Sequence, residues 1–133
     1  MPFTTKGVRS ITGRVTTGAA AEQTLNLVVD GAPAAASIAV PAQMRLSITD
    51  ISLGSNENRA DFKVQQSDNG AAFFDIANLN IRGTGPDNTS HFSFRTPLTV
   101  PGGPSTLVRV RVTTPAGSEL VMCTIRAQYQ STD

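Results

Sequence analysis

Met44-Arg45-Leu46-Ser47-Ile48-Thr49-Asp50-Ile51-Ser52-Leu53-Gly54 is the stretch on which the fold turns. Met44, Leu46 and Ile48 alternate with Arg45, Ser47 and Thr49, the period of two that gives a β-strand one apolar face. Ile51 and Leu53 resume the alternation on the opposite parity. Such a strand keeps its apolar set on one side of a sheet only where an extra residue is inserted, so a bulge or bend is expected near Asp50.

Outward from this stretch the same period recurs. Ala60, Phe62 and Val64 alternate with Asp61, Lys63 and Gln65. Phe74 and Ile76 begin another run, broken near Ala77-Asn78 before Leu79 and Ile81. Phe92 and Phe94 flank Ser93. Val108, Val110 and Val112 alternate with Arg109, Arg111 and Thr113, a half-exposed strand. Val121, Cys123, Ile125, Ala127 and Tyr129 form a long final strand, and Leu120 and Met122 on its other parity point to cover on both faces at its start. Weaker strands are readable in Val8 to Thr16, Gln23 to Val29 and Ser37 to Val40. Asp30-Gly31, Asp68-Asn69-Gly70, Arg82 to Asn88, Pro101-Gly102-Gly103-Pro104 and Pro115-Ala116-Gly117 supply the turn chemistry between them. No window holds helical spacing for more than two turns. The expected fold is an all-β antiparallel β-sandwich, a jelly roll of about eight to nine strands. An immunoglobulin-like sandwich is the runner-up, without the Cys, Trp, Cys signature of antibody domains. The division expected is an N-terminal arm, partly extended, at 1–18 and a single jelly-roll domain at 19–133.

Composition narrows the roles. A chain of 133 residues with formal net charge +1 and 5% aromatics has neither the basic excess nor the stacking platforms of a nucleic-acid binder. No apolar run approaches the length of a membrane span, and no signal peptide is evident, so no membrane partner is expected and synthesis in the cytoplasm is. Cys123 is the single cysteine and reads as a buried, inert thiol. Asn88-Thr89-Ser90 matches a glycosylation acceptor, without the secretory context that would use it.

The candidate chemistry is sparse. His91, beside Ser90 and four residues after Asp87, is the only imidazole; a triad around it would need an oxyanion hole that no motif supplies. Asp50, Asn56, Glu57, Asn58 and Asp61 could gather oxygen ligands for calcium, but their spacing is not that of an EF-hand and turns demand the same residue types. Gly83, Gly85 and Gly102-Gly103 open no helix and read as turns rather than phosphate cradles. No catalytic residue, metal or cofactor is therefore expected. Arginine outnumbers lysine nine to two. Arg109 and Arg111 share a strand face that Arg45, Arg95 and Arg126 could join, and arginine favours interfaces. Arg109, Arg111, Arg126 and Tyr129 are the expected subunit-interface residues.

The run Ser47 to Gly54, then Ala60-Asp61-Phe62-Lys63-Val64, then His91-Phe92-Ser93-Phe94-Arg95-Thr96-Pro97-Leu98-Thr99-Val100-Pro101-Gly102-Gly103 resembles a pattern in small jelly-roll modules of tailed-phage structural proteins. Those modules are of the capsid-decoration and head-fibre type, and the resemblance spans roughly 44–128. It implies a homotrimer that makes contact through loops at one end and anchors by an N-terminal arm; no binding residue transfers one for one. The expected function is that of a non-enzymatic structural protein, a capsid decoration or stabilisation subunit of a virion, with other shell proteins as partners. A carbohydrate-binding or receptor-binding module is the alternative. For a sugar site, Phe73 and Tyr129 are the exposed rings expected, since Phe62, Phe74, Phe92 and Phe94 sit at core parity. An enzyme acting through His91 comes third.

Overall fold

The computed structural model describes residues 5–16, 22–29, 33–56, 59–82, 88–114 and 120–131, with backbone alone at 5–10 and 14–16. Among these, ten antiparallel strands form two facing sheets: β1 (Thr5–Thr16), β2 (Gln23–Thr24), β3 (Asn26–Val29), β4 (Ile38–Ala39), β5 (Met44–Ser55), β6 (Arg59–Ser67), β7 (Phe74–Arg82), β8 (Asn88–Pro101), β9 (Leu107–Thr113) and β10 (Leu120–Ser131). The first sheet has the order β3-β1-β10-β5-β8 and the second β2-β9-β6-β7, with β4 also on β9. From β5 onward the chain crosses to the second sheet for β6 and β7, returns for β8, crosses again for β9 and returns for β10. That alternation, with the first and last long strands side by side, is the jelly roll expected from the sequence.

The bulge expected near Asp50 falls on Thr49. Against β10, Ile48 pairs with Ala127 and Asp50 with Arg126, so Thr49 is the extra residue. Its effect is the one the parity slip demanded: Leu46, Ile48, Ile51 and Leu53 are all at most 2% exposed. Against β8, Ile48 pairs with Leu98 but Asp50 with Ser93, so Phe94 to Pro97 arch out of register. Pro97 is tolerated there because β8 is an edge strand and needs hydrogen bonds on one side only. Phe62, Val64, Val110, Ile125 and Ile81 complete the centre of the core, each contributing about 1.5–3 kcal/mol by burial if fully removed from water.

Two expectations are revised. The segment read as an arm is, over Thr5–Thr16, an interior strand paired with β10 on one side and β3 on the other. Its polarity suggested surface, but one of its faces is solvent in any case, and Ile11 on the other is 1% exposed. Gly13 is the reason β1 lies so close: a Cβ there would stand 2.7 Å from Leu27 Cδ2 and 3.0 Å from Leu25 Cδ2. The remainder of 1–18 lies outside the described residues. The run Gln23 to Val29 is two strands, not one. Leu25 is the crossing point, fully buried and donating its N–H to Val110 O at 2.9 Å, so β2 joins the second sheet and β3 the first.

Candidate functional site

The two outer faces differ in kind. On the second sheet every central rung carries charge, and each charge has a partner. Arg109 Nε donates to Gln65 Oε1 at 2.8 Å, and Gln65 Nε2 donates to Asp75 Oδ1 at 2.8 Å. The Arg109 guanidinium lies 3.7 Å above the Phe73 ring, a cation–π contact. Burial, then the like charge of Arg111, pulls the Arg109 pKa down. One rung along, Glu22 bridges Lys63 at 3.2 Å and Arg111 at 2.6 Å. Arg82 and Asp61 pair at 2.6 Å on the next. This is a solvated face whose charges satisfy one another, each pair worth about 0–1 kcal/mol.

The outer face of the first sheet has small, hydroxyl and apolar side chains over its Gly54 half, with Asp50, Arg126 and Arg45 toward the other end. One rung reads Val28, Thr12, Thr124, Ser52, His91 across all five strands. On the next, Met122, Gly54 and Thr89 are in register. Gly54 lacks a side chain between two strands that have them, which leaves a trough of about 330 Å³ bordered by Ser52, Thr89, His91, Met122 and Thr124. A second hollow of about 250 Å³, bordered by Asn56, Asn88 and Leu120, shares Gly54, Thr89 and Met122 with it. Val28 is 42% exposed, and Leu120 and Met122 are 38% exposed each.

At the trough's end lies a polar relay. Ser52 Oγ is 2.7 Å from His91 Nδ1; His91 Nε2 is 3.1 Å from Ser93 Oγ and 3.4 Å from Asp50 Oδ1. Ser93 donates to Asp50 Oδ1 at 2.8 Å and Thr49 donates to Asp50 Oδ2 at 2.9 Å. Because the Ser93 hydrogen goes to Asp50, Ser93 Oγ accepts from Nε2–H, and Nδ1 of the neutral ring is left to accept from Ser52. The hydrogen bonds from Ser93 and Thr49, with His91 adding to them against a small cost of burial, hold the Asp50 carboxyl below its usual range. The sequence singled out His91 and Asp50 separately; Ser52 and Ser93 were missed because only the β5–β8 register brings them together.

Nucleophile, base and carboxylate in one line resemble an acyl-transfer triad, but among the described residues no oxyanion hole stands over Ser52. β5 is an interior strand, so its N–H groups lie in the sheet plane, directed at β8 and β10, and do not converge above Ser52 as an oxyanion hole requires. His91 is also open to water, its side chain 57% exposed. What the relay does is fix Asp50 and tie β5 to the edge strand β8.

The expected interface residues do not form one surface. Arg109 and Arg111 are on the second sheet, committed to Gln65, Phe73 and Glu22; Arg126 is on the outer face of the first. Tyr129 lies at inward parity against the core, its hydroxyl donating to Ala39 O at 3.4 Å. The cause is topological, since β9 and β10 are consecutive in the chain but belong to opposite sheets. Arg45 donates to Gln130 Oε1 at 2.8 Å on the first sheet. The proposed calcium ligands separate likewise, Asp50 into the first sheet and Asp61 into the second, with Glu57 and Asn58 outside the described residues. Among the described residues no three His, Cys, Asp or Glu side chains could hold a metal together. Of the aromatics, Phe73 lies under Arg109, while Phe74, expected in the core, is 49% exposed at the end of edge strand β7. Asp87 lies outside the described residues. No helix among them is long and apolar enough to cross a membrane.

No family model matches the chain, and no curated protein does. Among solved structures it is similar to a structure of Eiger TNF from S. frugiperda, with TM-score 0.39 and 7% identity over 87% of this chain and 92% of that one. The jelly-roll assignment rests on the strand order itself.

Proposed function

We propose that this chain is a non-enzymatic structural subunit, a homotrimer that decorates or stabilises the shell of a phage-like particle through protein–protein contacts. The observation that supports contact over catalysis is the difference between the two sheet faces: one has the charges of its central rungs paired with one another, the other presents small, apolar and hydroxyl side chains over its Gly54 half, with exposed Leu120 and Met122. Specific contacts of this kind bury on the order of 1,000 Å² or more. The choice of a phage-like shell comes from the sequence resemblance over 44–128. Assembly in the host cytoplasm and a place in the virion belong to the same reading. A glycan module has less support: of the two rings expected for it, Phe73 lies under Arg109 and Tyr129 packs against the core, which leaves only Phe74, at the end of edge strand β7, as a described exposed ring for a sugar to stack on.

The test is native mass measurement of the pure protein together with co-sedimentation on empty tailed-phage shells that lack a decoration protein. Trimers that pellet with the shells are expected. A monomer at micromolar concentration that stays in the supernatant would overturn the proposal.

A further inference from the structure

We infer that the outer face of the first sheet is the surface through which copies of this chain cover one another. The inference deepens the reading of an assembly subunit, but it needs neither a shell nor a particular number of copies.

The final strand supplies the first argument. Leu120 and Met122 alternate with Val121 and Cys123, so the start of β10 has apolar residues on both parities, the pattern of a strand covered on both sides. The fold buries one side: Val121 and Cys123 are at most 1% exposed. It leaves Met122 and, at the start of the strand, Leu120 open on β10, the middle strand of the five in that sheet. Among the described residues nothing closes over that side, and a partner surface would satisfy the pattern.

Size and charge say what that something is. Four strands of twelve to fourteen residues, β1, β10, β5 and β8, make a face of about 40 Å by about 20 Å, or about 800 Å², with the four residues of β3 at its edge. That matches the area each partner contributes to a standard protein–protein contact. Of its rungs, the one through Ser52 carries no Lys, Arg, Asp or Glu, the rung Ser10, Arg126, Asp50, Ser93 holds both signs side by side, and Arg45 stands on the rung of Gln130, to which its Nε donates. The Gly54 rung has Arg14 at its β1 position. Arg126 stands beside Asp50, and Arg45 and Arg14 occupy register positions near opposite ends of the face, so a second copy can be seated without stacking like charges, and the whole-chain net charge is only +1. A nucleic acid or a strongly acidic partner would instead select a basic stripe. The second sheet does not compete, because burying it would desolvate Arg109, Arg111, Lys63 and Asp61 together with their partners.

The experiment compares sedimentation of the wild type with Met122→Arg and, as an independent second variant, Thr124→Arg, each checked for native circular dichroism. Asn78→Arg, on the exposed side of β7 in the second sheet, is the control. Both first-sheet variants are expected to weaken self-association by about 30-fold or more, the scale of a buried hot-spot loss, while the control matches wild type. A folded first-sheet variant that still assembles like wild type overturns the inference, as does a wild type monomeric at 100-fold above micromolar concentration. A monomeric wild type that nonetheless pellets with shells would remove this inference and the trimer but leave the decorating role. Assembly lost in Met122→Arg with no shell binding by wild type would do the reverse.

Discussion

At the scale of single residues, Asp50 is the group whose chemistry the fold changes most visibly on the surface. Ser93 and Thr49 both hydrogen-bond its carboxylate, Ser93 being the larger influence, and together they lower its pKa from the ordinary value of 3.8. A carboxyl whose folded pKa is depressed stabilises the fold above its unfolded pKa, and that contribution disappears as pH falls through the folded value. Asp50→Asn is therefore expected to lower the urea midpoint at pH 7. The gap from wild type should begin to narrow near pH 4 and close below the folded pKa. Urea titrations at a series of pH values check this, and a gap that stays constant with pH would show that Asp50 acts by shape rather than by charge. The relay's other members do not change the sign, because the charge and hydrogen-bond influence of His91 on Asp50 also lowers its pKa.

At the scale of elements, β5 shows how far a strand can be read and where reading stops. Its parity slip was legible in Ile48 and Ile51, and the inserted residue is Thr49. Deleting Thr49 would move Leu46 and Ile48, or else Ile51 and Leu53, to the outer face, exposing two large side chains and burying polar neighbours. The deletion is expected to abolish cooperative unfolding, whereas Thr49→Ala, which keeps the residue count, should cost about 1 kcal/mol for the hydrogen bond to Asp50. A deletion variant with a normal thermal transition would mean the register can be restored elsewhere. The alternations of β6, β9 and β10 were equally legible, because each depends only on neighbours in the chain. What could not be read was which sheet each strand joins. Arg109 and Arg126 both face outward as their patterns say, but on opposite sides of the sandwich, so the arginine surface expected from them does not exist. The Ser52–His91–Asp50–Ser93 relay was hidden for the same reason, as it needs β5 and β8 side by side. Phe74 failed differently: it follows strand parity, but an edge strand has a neighbour on one side only, and the ring is left half in water.

At the scale of the whole molecule, the pairing of β1 with β10 brings residues near the two chain ends together in the middle of the first sheet, Ser10 opposite Arg126. That contact forms only when the intervening chain has been organised, which makes it part of the global structure rather than of any local unit. Cys123 reports on it. The thiol lies between Gly13 on β1 and Leu53 on β5, is 1% exposed, and is pushed by burial to a pKa of about 12. Two barriers thus oppose modification of the folded state: no reagent reaches the sulfur, and at pH 8 only ~10⁻⁴ of it would be thiolate. Reaction requires β10 to leave both neighbours at once, which removes the strand that joins β1 to the rest of its sheet. Iodoacetamide labelling at pH 8 is therefore expected to be slow in native buffer and to accelerate with urea along the slope of global unfolding, about 1–3 kcal/mol per molar. A shallower dependence, or fast labelling without urea, would mean that β10 opens by itself. In that event the first sheet would not be the cooperative platform that its packing describes, and its outer face could not serve as a rigid contact surface.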